Sequence, residues 1–230
     1  MLEAFLASIG YAGGVVVDKV VLSRYRLPVK RFIPLLFIWL AVITAILLPV
    51  FGHINLPLFE SYKYIGLFVL MIVVALTWNS LYYRGIQDGE VHELEFIMML
   101  TPITTIILSE IFLPGERNLS IFIAGMVAST ALIASRFRHN HLQISKNTSV
   151  IVFAMLLSSA ESIVIKLLLD SMSPVSLYFA RTAVMAVIFL IMWRPKLLAM
   201  PAKCFAYTII SAAFGVLQIC LLYTSPSPRD

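Results

Sequence analysis

Ala12-Gly-Gly-Val-Val-Val-Asp-Lys-Val-Val-Leu22, followed by Arg24-Tyr-Arg-Leu-Pro28, returns in altered form 147 positions later. The second copy reads Ala160-Glu-Ser-Ile-Val-Ile-Lys-Leu-Leu-Leu169, followed by Asp170-Ser-Met-Ser-Pro174. Lys19 aligns with Lys166, and Pro28 with Pro174 after a one-residue gap. Beyond each proline a basic residue leads an apolar run: Arg31-Phe-Ile-Pro-Leu-Leu36 in the first copy, Arg181-Thr-Ala-Val-Met-Ala186 in the second.

Both copies belong to a series of apolar runs at about 4–22, 32–52, 64–83, 94–113, 119–136, 150–169 and 175–193, with an eighth beginning near 204. Crossing the hydrocarbon core of a bilayer takes about 20 residues of helix, so each run has spanning length. The runs are continuous rather than alternating, which argues for helices and against a membrane barrel. Composition agrees: 60% of the 230 residues are hydrophobic, 13% are charged, and the mean hydropathy is +0.95. Soluble domains carry about 25% charged residues. A soluble enzyme, a disordered chain and a disulfide scaffold are excluded. The expected class is an all-α, multi-pass integral membrane protein.

Five runs separate the starts of the two copies, so the second copy must thread the membrane with opposite topology. Inverted repeats are a transporter architecture, with the substrate site near the midplane. The net charge of +5 belongs to loops, where basic residues set topology, and nucleic acid is not an expected partner. Loops after runs 1, 3, 5 and 7 hold Arg24, Arg26, Lys30, Arg31, Arg84, Arg136, Arg138, Lys146, Arg194, Lys196 and Lys203. Loops after runs 2, 4 and 6 hold only Lys63 and Arg117, which favours an external N-terminus. Cys204 and Cys220 have neither CxxC spacing nor a histidine partner, so no metal site is expected, and no cofactor.

Three further segments carry a family resemblance: Trp78-Asn-Ser-Leu-Tyr-Tyr-Arg-Gly-Ile86, Leu100-Thr-Pro102, and Ile111-Phe-Leu-Pro-Gly-Glu-Arg117. In this order they resemble the third helix through the fourth turn of the EamA type in the drug/metabolite transporter superfamily. Ser173-Pro-Val-Ser-Leu-Tyr-Phe-Ala-Arg181 is similar to the start of its seventh helix. The resemblance implies ten helices, as two inverted five-helix repeats around a central cavity. It also implies a secondary transporter of a small metabolite or amino acid across a bacterial or archaeal plasma membrane, by alternating access and in the efflux direction. Family members usually place the N-terminus inside, against the count of basic residues here. Val91-His-Glu-Leu-Glu95 makes the entrance to run 4 more acidic than the family pattern.

The expected organisation is a first five-helix repeat over 1–137, an inter-repeat loop over 138–149, and an incomplete second repeat over 150–219. Residues 220–230, Cys-Leu-Leu-Tyr-Thr-Ser-Pro-Ser-Pro-Arg-Asp, break the eighth run and resemble the translation of a sequencing-library adapter. This tail is expected to be non-native, leaving about seven and a half of ten helices. The genomic frame is then expected to continue past Gln218-Ile219.

An ionisable side chain at midplane is costly and normally faces protein or water. Glu161 is the clearest case, midway along run 6, as a proton carrier or partner of a cationic group, with Ser158 and Ser162 beside it. An interhelical hydrogen bond to a polar neighbour such as Asn79 is the structural alternative. Asn79, Trp78, Tyr11 and Arg181 complete the expected substrate-binding set, Arg181 as a partner for a carboxylate. Gly10, Gly13 and Gly14 allow close helix approach, and Pro102 is expected to kink run 4 as a gate. Asp18, Lys19 and Lys166 are candidates for ion pairing, both lysines also lying within snorkelling reach of the headgroups. Tyr82 and Tyr83 read as an interfacial belt. Expected partners are a small-molecule substrate and the bilayer, with a homodimer left open. The rival classes are a membrane-embedded structural or interaction protein and an intramembrane enzyme. His53, His92, His139 and His141 all fall in or beside loops, which argues against a buried serine–histidine hydrolase.

Overall fold

The computed structural model describes residues 2–88, 96–113, 119–137, 148–197 and 200–224. The acidic entrance at 91–95, the Pro114-Gly-Glu-Arg117 turn, Arg138, His139, His141, Lys146 and the last six residues of the tail lie outside them. Among the described residues there are helices and no strands. They are α1 (Leu2–Lys19), α2 (Val29–Phe51), α3 (Leu56–Phe59), α4 (Tyr62–Asp88), α5 (Thr101–Phe112), α6 (Leu119–Phe137), α7 (Thr148–Leu168), α8 (Pro174–Trp193) and α9 (Ala202–Thr224). Each expected run became a helix, and α9 continues five residues beyond Ile219.

Among the described residues, six segments are long and apolar enough to cross a membrane: Phe5–Arg24, Val29–Phe51, Tyr62–Gln87, Ser149–Leu168, Pro174–Trp193 and Ala202–Ile219. The fourth and fifth runs contribute shorter apolar helices, Phe96–Phe112 and Phe122–Ala131. Aliphatic side chains such as Val16, Ile46, Val50 and Ile191 stand exposed on the six. In water such surface would drive association, whereas acyl chains solvate it without penalty. The chain is thus an all-α protein with the helices of an integral membrane protein.

The chain forms two compact units, Met1–Phe68 with Leu168–Asp230, and Val69–Leu167. Each unit draws on both expected repeats. In the first, α1 lies along α9 and α2 along α8, while α9 also touches α2. Small residues permit the first pairing: a Cβ on Gly10 would stand 3.1 Å from the Phe214 carbonyl oxygen, and one on Gly13 3.1 Å from the Phe214 ring. The second pairing is filled by aromatics, with Phe37 and Phe189 ring centroids 5.6 Å apart and Phe189 stacked on Trp193 at 4.7 Å. Phe32, Ile33, Phe37, Met185 and Phe189 are almost wholly enclosed.

Helix α2 tolerates Pro34 and Pro49 inside it. A proline removes one backbone donor, which an apolar environment makes costly unless neighbours compensate. At its C-terminus Gly52 donates its N–H to the Leu48 carbonyl at 2.7 Å. A Cβ there would collide with that same oxygen, a contact no side chain could make. Helix α1 runs into one π-helical turn, Val20–Arg24, closed by the Tyr25 N–H donating to the Val20 carbonyl at 3.1 Å. Such turns re-aim the chain and often accompany functional sites.

In the second unit α5 packs on α6, where the lack of a Cβ at Gly125 leaves room for the Ile106 side chain. The helical stretch before α5 is interrupted by a turn at Met99–Leu100. Pro102 stands in the first turn of α5, where its missing N–H has no intrahelical partner to lose. The expected kink in a continuous fourth helix is therefore a break between two helical pieces.

Candidate functional site

Glu161 sits on α7 at 3% exposure, so its carboxyl is enclosed by protein. The Trp78 indole N–H on α4 donates to its Oε2 at 2.5 Å. The indole N–H can only donate, and the carboxyl oxygen supplies the acceptor it needs inside the protein. Trp78 in turn packs edge-on to Tyr82, with centroids 6.0 Å apart, and Tyr82 to Tyr83 at 5.1 Å. The two tyrosines are only 7% and 9% exposed. They extend the aromatic cluster that begins at Trp78.

Asn79 is buried one residue away but does not serve as the partner expected of it in an interhelical bond. Its Nδ2 donates to the Ala75 carbonyl of its own helix at 2.8 Å. Ser158 and Ser162 likewise donate along α7, to the Met155 carbonyl at 3.1 Å and the Ser158 carbonyl at 3.0 Å. Serine hydroxyls inside helices commonly bond back in this way. Each keeps lone pairs that a ligand donor can use.

Ser159, fully buried between them, has the interhelical role. Its hydroxyl meets Thr104 on α5 at 2.5 Å, and both hydroxyls lie within reach of the Thr101 carbonyl, at 3.3 and 2.9 Å. Each hydroxyl has a single proton, so one donates to its neighbour and the other to a carbonyl. Where Thr104 is the one that donates to a carbonyl, it satisfies a backbone group beside the turn at Met99–Leu100. The Thr101 Oγ1 is enclosed with no hydrogen-bond partner. Ser159 was not among the expected site residues, because it is one more serine in a Ser-Ser-Ala-Glu stretch; its face becomes distinctive only once α5 is placed.

The remaining expected site residues, Lys166 apart, belong to the other unit. Tyr11 is 37% exposed on α1. Arg181 is buried on α8, its guanidinium 5.9 Å from the Tyr178 ring centroid one turn away. That spacing suits a cation–π contact. Asp18 is buried and accepts a hydrogen bond from the Ser211 hydroxyl on α9, across the α1–α9 seam. Lys19 is half-buried and Lys166 exposed, the latter at the end of α7 where headgroups are in reach. Gly10 and Gly13 face Phe214, and Gly14 is looser, its nearest contact 3.8 Å away.

The Asp18–Ser211 bond gives one expected outcome directly. Hydrogen bonds to charged groups are worth about 1.5–3 kcal/mol. Ser211→Ala is therefore expected to lower stability by roughly that amount, read as thermal unfolding in detergent. Ser211→Thr, which keeps the hydroxyl, should recover most of the loss.

Chemically, the α4–α7 constellation offers a buried carboxyl oriented by an indole, with the Ser158 hydroxyl about one turn before it and the Ser162 hydroxyl on the next residue. It can hold a proton or balance a cationic group. Among the described residues no three histidine, cysteine, aspartate or glutamate side chains are grouped as metal ligands. Compared with protein-family models, curated proteins and solved structures, the chain matches none of them.

Proposed function

We propose that the protein is a secondary transporter of the EamA type, moving a small metabolite or amino acid by alternating access, with export the favoured direction. The carrying observation is Glu161, a carboxyl enclosed in an apolar helix and held by the Trp78 indole. A midplane carboxyl is costly, and its usual role is a proton relay or a substrate contact. The repeat of residues 12–28 at 160–174 supports the reading, as does the pairing of α1 with α9 and α2 with α8. In that pairing the second helix of each proposed half meets its counterpart, and the first helix of one half packs on the third of the other, an arrangement compatible with two-fold related halves. The broken helix at Met99–Leu100 fits the discontinuous helices found at transporter binding sites. In this reading Glu161, Trp78, Asn79, Ser158 and Ser162 are the substrate-contacting candidates of one unit, and Tyr11 and Arg181 are those of the other, each taken by itself.

The test is reconstitution into proteoliposomes of the protein expressed from its genomic reading frame. Counterflow is measured over a panel of amino acids and small metabolites, beside a thermal-shift screen of the same panel. Saturable counterflow of at least one compound, with a matching thermal shift, is the expected result. Neither signal from any compound would overturn the transporter reading.

A further inference from the structure

Residues 51–55, leaving α2, lie against residues 171–176, which enter α8. The Ser173 N–H donates to the His53 carbonyl at 2.7 Å, and the Asn55 N–H to the Ser171 carbonyl at 2.8 Å. Ile54 and Met172 form the isolated antiparallel bridge between them. The His53 N–H is shared by two hydroxyls, Ser173 Oγ at 3.0 Å and Ser176 Oγ at 2.9 Å. Ser173 Oγ also lies 3.0 Å from the Phe51 carbonyl, to which it donates, while accepting from the Ser176 N–H at 3.3 Å as the cap of α8. One serine therefore ends one helix, starts another and joins them. Gly52 lets the chain turn out of α2 just before the clasp, since a Cβ there would collide with the Leu48 carbonyl of the same helix.

We propose that this clasp is the gate latch on the membrane face poor in basic residues, and that it must open for the substrate path to reach that face. The inference rests on the transport reading above. Residues 51–55 belong to the first expected repeat and 171–176 to the second, so the clasp ties one repeat to the other. In alternating access one repeat rocks against its partner. The clasp sits at the end of the α2–α8 pair within one compact unit, so its loops can part while the helices themselves stay packed.

The chemistry of the clasp suits a reversible contact. Its bonds use backbone groups and two serine hydroxyls; His53 is exposed and Ser173 half-buried, with Ser171 and Ser176 buried behind them. Water can replace each partner as the loops part, unlike the aromatic packing of Phe37 on Phe189 deeper along the same helix pair. Met172 is buried while Ile54 is exposed, so the bridge has a seated strand and an outer one that can lift. A small free-energy difference between latched and open states is what population shift by a ligand requires.

Ile54→Cys with Met172→Cys, in a chain with Cys204→Ala and Cys220→Ala, tests the latch. Bridged residues on antiparallel strands have Cα atoms about 4.5–5.5 Å apart, within disulfide reach. Oxidation is expected to lower counterflow by about tenfold or more, with full recovery on reduction. Unchanged counterflow in the cross-linked protein would overturn the latch and leave the transport reading intact. Hydrogen exchange tests it without any substrate. The amides of His53, Asn55 and Ser173 should exchange ahead of those of Phe37 and Phe189, and Ser176→Ala, which spares the α8 cap, should speed them about tenfold. Exchange together with the helix cores, indifferent to Ser176→Ala, would overturn the latch even if no compound is transported.

Discussion

Glu161→Ala is expected to reduce transport at least about 100-fold, equivalent to about 2.7 kcal/mol of lost transition-state stabilisation. The variant should also unfold more readily, because two separate properties of the carboxyl disappear. The first is structural: the Trp78 indole N–H, 2.5 Å from Oε2, loses this acceptor inside the protein. An unsatisfied buried donor costs about 1–3 kcal/mol. The second is chemical, since alanine can neither carry a proton nor balance a cation. Glu161→Gln separates the two. Its amide oxygen still accepts from the indole, so the Gln variant should unfold close to the parent while transport falls as in the Ala variant. Counterflow and thermal unfolding measured on both variants decide the matter. Transport retained by Glu161→Gln would assign the carboxyl to packing alone.

The second large effect concerns the α1–α9 seam. Gly10→Leu is expected to separate the two helices and leave little folded protein after detergent extraction, whereas Gly14→Ala should be close to neutral. The ordering follows from what each new Cβ meets. At Gly10 the neighbours are backbone, the Phe214 oxygen at 3.1 Å and the Gln218 nitrogen at 3.3 Å, so relief requires moving a helix. At Gly13 the neighbour is the Phe214 ring at 3.1 Å, which can turn, and at Gly14 the nearest atom is 3.8 Å away. Overpacking a filled interface costs about 1–3 kcal/mol, and more when backbone must shift. Thermal unfolding of the three alanine variants should rank them Gly10, Gly13, Gly14 from worst to mildest. Phe214→Leu should relieve Gly13→Ala but not Gly10→Ala. An order indifferent to position would mean that the helices are not packed through these glycines.

Some of the polar chemistry was legible before any fold was known. Glu161 stood out because a carboxylate inside an apolar run is costly wherever the helix goes, and it is buried. Its partner was not legible. Asn79 and Trp78 are adjacent on α4 and therefore point about 100° apart, so helical phase rather than residue type selects which reaches α7. The indole arrives, and Asn79 turns to its own backbone. Pro102 shows the same limit. A proline in an apolar run reads equally as a kink or as the start of a new helix, and the turn at Met99–Leu100 decides for the start.

The latch was invisible for another reason. Serines at 171, 173 and 176 look like an ordinary loop and helix cap, and most of the bonds to 51–55 run through backbone groups that every sequence carries. Gly52 marks only the end of α2, and one glycine after a helix is common.

By itself, then, the sequence determined the class and the segments. Runs of about 20 apolar residues must become helices, because a bilayer satisfies no backbone polar group from outside. Loop positions, the repeat at 12–28 and 160–174 and the buried carboxyl follow from the same local pattern of hydropathy and charge. Tertiary structure alone decided the partners: α1 with α9, Glu161 with Trp78, Ser159 with Thr104, and residues 51–55 with 171–176. Lipid is as apolar as the helices, so hydrophobicity does not choose which helices meet. Shape at small residues and a few hydrogen bonds between distant positions make that choice, and neither is written in any single stretch of the chain.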